Sequence, residues 1–307
     1  MTTPQPTYLP GGGSPVGGAP AAAPLLDVRD LVVEYPRPGH RKDPFRVLKS
    51  VSLDVRPGEC VGLVGESGSG KTTLGRAVLG LAPVASGTID YRGTDIAHAD
   101  RHTRRKMGSE IQVVFQDPYT SLNPSMTVGD ILAEPLTANG VSRSEARSRV
   151  RDLLDQVRLP SDALGRLPRE FSGGQRQRVA IARALALEPR LIICDEPVSA
   201  LDLSTQARVL DLFVEIQERT GVAYLFITHD LTVVRHVSHR VAVMYHGEIV
   251  EWGETDAVTR TPEHPYTQRL WMAAPVPDPD EQMRRRAERQ RLLAIQAEQD
   301  EQAGAVA

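Results

Sequence analysis

Short apolar runs alternate with amphipathic stretches along most of the chain. The continuous apolar runs at 60–64, 190–194 and 222–227 predict buried parallel strands, because a strand covered on both faces has no polar side. More strands are predicted at 31–35, 47–55 and 238–245, with a turn at 36–44. Helical spacing is found at 73–81, 144–158, 175–186 and 204–220. Strands that alternate with helices indicate an α/β fold with a parallel sheet.

Three regions depart from this alternation. Residues 117–188 are mostly helical in pattern and predict an inserted helical subdomain. Residues 1–24 are rich in proline and glycine and cannot bury enough apolar surface to offset their chain entropy, so we expect a disordered leader, with order beginning near Leu25. The charged tail at 281–307 is compatible with a helix on anionic lipid, but its thin apolar face favours a solvated tail.

Composition narrows the class of protein. The 307 residues are 40% hydrophobic and 24% charged, as in globular proteins, and no run approaches the roughly 18 apolar residues of a membrane span. Two cysteines are too few for a disulfide scaffold or a four-cysteine metal site. The net charge of −3 gives no overall basic surface for nucleic acid, and no basic residue precedes Asp27 as a signal peptide requires. We expect a cytoplasmic chain that reaches a membrane only through partners.

Residues 65–72, GESGSGKT, match the phosphate-binding pattern GxxxxGK[ST] between a predicted buried strand and a predicted helix. Glycines let backbone N–H groups turn toward an anion, and the helix N-terminus adds partial positive charge. Lys71 is expected to reach the β- and γ-phosphates, and the Thr72 hydroxyl to ligate Mg²⁺. The predicted nucleotide-binding residues of this loop are Gly65, Glu66, Ser67, Gly68, Ser69, Gly70, Lys71, Thr72 and Thr73. A glycine-rich turn without a ligand is the alternative, and the motif alone indicates only a nucleoside triphosphate.

Two other motifs are ambiguous by themselves. Ser172, in the sequence FSGGQ, precedes a helical run and could simply be its N-cap. Asp195 and Glu196 follow a buried strand, where the aspartate could hold Mg²⁺ through water and the glutamate could polarise an attacking water. Acidic residues that merely close a strand are the alternative.

Taken together, these motifs resemble the ATP-binding-cassette (ABC) ATPases over residues 27–253. Gln116 in VVFQD resembles the Q-loop, and Asp195 with Glu196 resembles the Walker B motif and its catalytic carboxylate. The family signature is similar to Ser172, Gly173, Gly174 and Gln175, with Phe171 where leucine is commoner. Asp202 in SALD resembles the D-loop, and His229 in THD the switch histidine. Tyr35 stands where the family places an aromatic ring against adenine.

The resemblance implies an α/β P-loop NTPase cassette over 25–253, with a RecA-like parallel-sheet core, an antiparallel β subdomain and the inserted helical subdomain. It implies that two cassettes dimerise head to tail, with ATP between the P-loop of one and the signature of the other. Glu196 would orient water, and His229 would contact the γ-phosphate. Gln116 would touch Mg²⁺, with Thr72 and Asp195 as the other metal-binding residues.

Two stretches are similar to one subfamily, the ATPase subunits of oligopeptide, dipeptide and nickel importers. One runs from QDPYTSLNP at 116–124 through MTV at 126–128 to EPL at 134–136, with Ser125 where arginine is common. The other runs from HPYTQ at 264–268 to APVPDP at 274–279, within a C-terminal extension predicted at 254–280. The likeness implies a second ATPase subunit, two membrane permeases, an extracytoplasmic solute-binding protein, no nucleic acid, and a peripheral position at the cytoplasmic face of the membrane. Some relatives bind an iron–sulfur cluster in this extension. No cysteine follows Cys194 here, so we predict no cluster, and Cys60 and Cys194 are predicted to be buried strand residues.

Alternative functions remain. Nickel or another small solute could replace peptide as the cargo, because nothing in the sequence selects a solute. A soluble ATPase acting on DNA or ribosomes is disfavoured, since no long coiled coil splits the cassette and there is one P-loop. A non-catalytic regulatory cassette is disfavoured because Lys71, Asp195, Glu196 and His229 are all present.

Overall fold

The computed structural model describes residues 23–37, 40–117 and 121–273. The predicted charged tail, nearly all of the predicted leader and Pro118–Thr120 of the importer-like stretch lie outside these residues. The strands are, in chain order, β1 Leu26–Arg37, β2 His40–Val55, β3 Cys60–Val64, β4 Val84–Tyr91, β5 Thr94–Asp95, β6 Ile111–Val114, β7 Leu191–Asp195, β8 Ala223–Thr228, β9 Arg240–Tyr245 and β10 Glu248–Glu254. They form an antiparallel sheet in the order β2-β1-β4-β5 and a larger sheet in the order β10-β9-β3-β8-β7-β6.

Helices lie on both faces of the larger sheet. They are α1 Lys71–Val78, α2 Arg101–Glu110, α3 Val128–Ala138, α4 Arg143–Gln156, α5 Gly173–Leu185, α6 Leu203–Thr220, α7 Leu231–Val237, α8 Thr255–Arg260 and α9 Pro265–Ala273, with 3₁₀ turns at Ser161–Gly165 and Pro168–Glu170. In the larger sheet β9, β3, β8, β7 and β6 are parallel, and β10 pairs antiparallel with β9. The predicted α/β class with a parallel sheet is confirmed.

The apolar strands of the larger sheet are buried on both faces. Ile193 and Leu225 face a core shared with the antiparallel sheet and α1. Cys194 and Phe226, one residue further along each strand, face a second core shared with α3 to α6. Phe213 of α6 packs edge-on against Phe226 at 5.4 Å. This double coverage explains why the strands read as continuous apolar runs rather than as alternating ones.

Helices α3, α4 and α5 follow β6 and precede β7 in the sequence, although β6 and β7 are neighbours in the sheet. Each begins at a side-chain cap: Thr127 accepts from Asp130 N, Ser142 from Glu145 N, and Ser172 from Gln175 N. Their apolar faces share one continuous core with α6. The chain is therefore helical where the sequence predicts an insertion.

Two local predictions are wrong. The turn predicted at 36–44 is mostly strand, since β1 runs to Arg37 and β2 starts at His40. Pro44 is tolerated there because β2 lies at the edge of its sheet, where a missing N–H disrupts no ladder. Helix α1 ends at Val78 rather than at residue 81, because Gly80 adopts a left-handed conformation (φ 72) and Leu81 N donates to Arg76 O.

A buried ion pair ties the two sheets together. Arg240 at the start of β9 donates to Glu59 Oε2 at 2.8 Å and to Asp54 Oδ2 of β2 at 2.7 Å. The Trp252 ring covers the guanidinium at 4.6 Å. These two carboxylates raise the pKa of Arg240 above its ordinary value, against the opposing effect of burial. Across the described ranges, no helix has the length and apolar character needed to cross a bilayer.

Candidate nucleotide-hydrolysis site

Four neighbouring strands end at the same edge of the larger sheet. In the order β3-β8-β7-β6, they lead into the phosphate-binding loop, His229, Glu196 and the segment that holds Gln116. The strands are parallel, so their carboxyl ends meet at one edge, where ligands of open α/β sheets bind. The fold thus brings together motifs that lie far apart in the sequence.

The phosphate-binding loop is packed tightly against the end of β9. A Cβ atom on Gly65 would lie 2.1 Å from the Met244 carbonyl oxygen, so only glycine fits there. Gly70 takes a positive φ of 111° as the loop enters α1, a conformation that favours glycine. The Ser69 carbonyl accepts a hydrogen bond from Gly247 N at 2.9 Å. These contacts fix the conformation of the phosphate-binding loop.

Lys71 carries its charge inside this loop. Its side chain is buried, and its Nζ donates to the carbonyl oxygens of Gly65 at 2.8 Å and Glu66 at 2.9 Å. Burial lowers the pKa of Lys71, while the negative charges of Glu196 and Asp195 oppose that decrease. The ammonium group is thus positioned at the loop where an anionic ligand would gain most from it.

Thr72 and Asp195 present oxygen atoms beside the loop. The Thr72 hydroxyl donates to Asp195 Oδ1 at 3.0 Å. Burial raises the pKa of Asp195, and the hydrogen bond from Thr72 offsets part of that increase. Hydroxyl and carboxylate oxygens are the ligands that Mg²⁺ prefers. Within the described residues, no group of three or more His, Cys, Asp or Glu side chains could hold a metal by itself. The pair therefore fits a Mg²⁺ that is bound mainly by phosphates and water.

Glu196 is the meeting point of the two other strand-end residues. Its Oε2 accepts from Gln116 Nε2 at 3.4 Å and lies 3.2 Å from His229 Nδ1. The Glu196 backbone has a positive φ of 47°, which is strained for a non-glycine residue, and its N–H donates to Ile227 O of β8 at 2.9 Å. This strained backbone conformation directs the Glu196 carboxylate toward Gln116 and His229.

The signature residues and Asp202 lie at the starts of α5 and α6. Ser172 and Gln175 cap α5 reciprocally: Ser172 N donates to Gln175 Oε1 at 3.0 Å, and Gln175 N to Ser172 Oγ at 3.3 Å. A Cβ atom on Gly174 would lie 2.2 Å from Thr205 Cγ2, so α5 and α6 approach closely here. Gly173 lies nearby, next to Leu201.

Asp202 caps α6. It accepts from Thr205 N at 3.0 Å and from Ser204 Oγ at 2.8 Å, and these hydrogen bonds lower the pKa of Asp202 to about 2. Among the described residues, the capping bonds of the signature stay within the first turn of α5 and do not reach the phosphate-binding loop. The predicted signature is therefore not joined to its own chain's loop by these bonds.

Tyr35 lies on β1 directly across from Phe45 of β2. The same strand β2 carries Leu48, whose Cδ2 would be 2.8 Å from a Cβ atom on Gly70. No motif in the sequence identifies Phe45 as a candidate site residue, although its side chain is aromatic and 52% exposed. The signal that could have found it is the cross-strand pairing of two aromatic residues in one hairpin.

Comparisons with known proteins identify the family of this chain. Residues 48–199 match the family model described as ABC transporter, and residues 250–300 match the one described as oligopeptide/dipeptide transporter, C-terminal region. The chain is 47% identical over 264 residues to the oligopeptide transport ATP-binding protein OppF of Salmonella typhimurium, covering 83% of this chain and 79% of OppF. It is 50% identical over 234 residues to OppD of Mycobacterium tuberculosis, covering 76% of this chain and 38% of OppD.

Solved structures show the same architecture. A dimeric ATP-binding cassette in a post-hydrolysis state, bound to ADP and Pi, has a TM-score of 0.67 and 29% identity over 75% of this chain and 98% of that cassette. The cbiO1 subunit of an ABC transporter complex from Clostridium perfringens has a TM-score of 0.70 and 28% identity over 80% of this chain and 95% of its own.

The chain belongs to the ABC transporter family, as an ATP-hydrolysing cassette. It also carries the C-terminal region found in oligopeptide and dipeptide transporters. The family resemblance predicted from the sequence is confirmed.

Proposed function

We propose that this chain is the ATP-hydrolysing subunit of an importer that takes up dipeptides and oligopeptides. The observation that carries the hydrolytic part is the convergence of Gln116 and His229 on one carboxylate oxygen of Glu196. The peptide part is supported by the C-terminal region at 250–300 and by the likeness to OppF and OppD.

The residues of the site divide the work of hydrolysis. The backbone N–H groups of the loop and the Lys71 ammonium bind the phosphates. Thr72 and Asp195 would hold Mg²⁺ with Gln116 nearby; when bound, Mg²⁺ neutralises charge on the phosphate oxygens. Glu196 orients a water and accepts its proton, and Gln116 and His229 hold its carboxylate in place. His229 is 56% exposed and can also contact the γ-phosphate.

The site is completed by a second cassette. Among the described residues, the capping bonds of Ser172 and Gln175 stay within α5, which leaves the signature at Ser172, Gly173, Gly174 and Gln175 available to the ATP of a partner. The N-terminus of α5 would then direct its positive dipole end at the partner's γ-phosphate. Loss of the γ-phosphate removes the charge that joins the two halves, so hydrolysis would reopen the dimer.

The helical region offers a surface for a permease. A cavity of about 760 Å³ lies between α3 and α4 and is lined by Met126, Ala133, Glu134 and Arg147 among others. Its mixed apolar and charged lining suits an amphipathic helix of a membrane subunit. Two permeases would hold the cassettes peripherally at the cytoplasmic face of the membrane, and an extracytoplasmic solute-binding protein would deliver the solute.

Uptake by the cell tests this function. Deleting the gene should abolish uptake of labelled dipeptides or oligopeptides, wild-type chain should restore it, and the Glu196→Gln variant should not. Unchanged peptide uptake with lost nickel uptake would replace peptide by nickel as the cargo. Retention of both would contradict the proposed importer role.

A further inference from the structure

Helix α9 of the C-terminal extension lies against the phosphate-binding loop. The Tyr266 hydroxyl accepts a hydrogen bond from the backbone N–H of Glu66 at 2.8 Å, across 200 residues of sequence. Tyr266 is 2% exposed, and its ring lies 4.1 Å from the ring of Tyr245, the last residue of β9. The preceding residue, Met244, is the one that packs on Gly65. Tyr266 therefore occupies a buried, hydrogen-bonded position beside the start of the phosphate-binding loop.

The residues around Tyr266 fix its direction. His264 precedes α9, and its Nδ1 accepts from Tyr266 N at 3.1 Å, in the manner of an N-cap. Pro265 takes the first helical position, where its missing N–H costs nothing. The Glu251 carboxylate accepts from Glu263 N at 2.9 Å and from His264 N at 3.1 Å. The His-Pro-Tyr segment thus starts α9 and directs Tyr266 toward the phosphate-binding loop.

Glu66 transmits this contact into the loop. Its N–H donates to Tyr266, while its carbonyl oxygen accepts from Lys71 Nζ at 2.9 Å and from Ser69 N at 3.2 Å. Both peptide units that flank Glu66 are therefore held. Without the Tyr266 hydroxyl, the peptide unit between Gly65 and Glu66 loses the partner of its N–H and is held only through the bond from Lys71 Nζ to the Gly65 carbonyl.

The same helix contacts the segment that follows the switch histidine. Trp271 of α9 lies with its ring 5.3 Å from the Arg235 guanidinium of α7. Leu231 of α7 and Tyr266 belong to one buried cluster. Helix α9 thus contacts both the phosphate-binding loop and α7, the helix that follows His229.

We propose that Tyr266 is a positioning residue of the ATP site, which holds the phosphate-binding loop in its binding conformation through the N–H of Glu66. This inference rests on the proposed function only in that the loop binds ATP. Tyr266 does not touch the nucleotide, so its effect falls on ATP affinity more than on the chemical step.

Steady-state ATP hydrolysis and nucleotide titration of the full chain test the proposal. Tyr266→Phe removes the hydroxyl and keeps the ring. We expect it to raise the KM and Kd for ATP about threefold to tenfold, the range that corresponds to loss of one hydrogen bond, with kcat within about twofold. Tyr245→Phe removes a hydroxyl from the other ring of the pair and should leave KM and Kd unchanged. Equal KM and Kd values for wild type and Tyr266→Phe would overturn the proposal.

Two measurements keep the test decisive. If Tyr266→Phe does not fold, hydrogen exchange of the wild-type chain replaces it: the Glu66 amide should be protected, and an unprotected Glu66 amide would overturn the proposal. Lys71→Ala separates this inference from the function itself. Normal ATP binding by Lys71→Ala would refute the ATP site, whereas lost binding there with an unchanged Tyr266→Phe would refute only the role of Tyr266.

Discussion

Nδ1 of His229 lies 3.2 Å from Oε2 of Glu196. The two residues follow neighbouring parallel strands, β8 and β7, and Gln116 reaches the same oxygen from the end of the next strand. Because a carboxylate held from two sides keeps its direction, this arrangement favours the water activation proposed for Glu196.

Replacing His229 by alanine should slow ATP hydrolysis by about 10²-fold or more while leaving ATP affinity within about threefold of wild type, because the loss falls on the orientation of the reacting groups. Steady-state hydrolysis and nucleotide titration measure the two quantities. His236→Ala is the control, since His236 pairs with Asp211 between α6 and α7. Equal losses in the two variants would contradict a specific role for His229.

Replacing Asp195 by asparagine should abolish Mg²⁺-dependent hydrolysis and raise the thermal unfolding temperature at pH 7 to 8. The reason is that burial raises the pKa of Asp195 above its ordinary value of 3.8, so its ionised form destabilises the folded protein. An amide in the same place removes that cost and can still accept from the Thr72 hydroxyl.

The raised pKa of Asp195 also fixes how the stability effect of Asp195→Asn changes with pH. In the folded protein Asp195 binds its proton more tightly than in the unfolded chain, so its contribution to stability is full below pH 3.8 and declines as pH rises through the higher folded pKa. The stability gain of Asp195→Asn should therefore be largest near pH 8 and should shrink toward pH 4. A variant less stable than wild type at pH 8 would contradict the account.

Replacing Gly174 by alanine should destabilise the chain by about 1–3 kcal/mol, because the new methyl group would overlap Thr205. Adding Thr205→Ser removes the clashing methyl and should recover most of the loss. Gly108→Ala is the matched control, since no atom lies within 4 Å of the Cβ position there. Denaturant unfolding compares wild type, Gly174→Ala, Thr205→Ser, the double variant and Gly108→Ala, and additive effects of the two substitutions would rule out the contact.

Replacing Arg240 by methionine should cost about 3–5 kcal/mol of unfolding free energy, because it leaves the buried Glu59 carboxylate without its partner. Arg260→Met breaks an exposed ion pair with Asp256 and should cost about 1 kcal/mol or less. Chemical denaturation of both variants gives the comparison. Similar costs at the two positions would show that the pair between the sheets contributes little.

The sequence predicts those features whose signals are local. The strand at Cys60–Val64 matches the structure to the residue, because a buried parallel strand must be apolar throughout. Both cysteines lie buried in strands as expected. The motif residues beside the loop were each predictable from short patterns.

Contacts between distant segments were not predictable. Nothing near Tyr266 in the sequence shows that its hydroxyl meets Glu66, since that contact depends on how α9 docks on the larger sheet. The strand ends at 36–44 were missed because three prolines and a glycine in this segment are typical of a turn, whereas edge pairing of β2 accommodates Pro44. The close approach of Gly174 to Thr205 likewise depends on how α5 packs against α6, which the sequence does not show.

Turnover of the Glu196→Gln variant tests the central claim most directly. This substitution keeps the size and both hydrogen-bond partners of the side chain and removes its negative charge and its basicity. We predict that hydrolysis falls by about 10²-fold or more with ATP affinity within about threefold of wild type, whereas Glu215→Gln on the exposed surface of α6 hydrolyses normally. Wild-type turnover in Glu196→Gln would contradict Glu196 as the catalytic base.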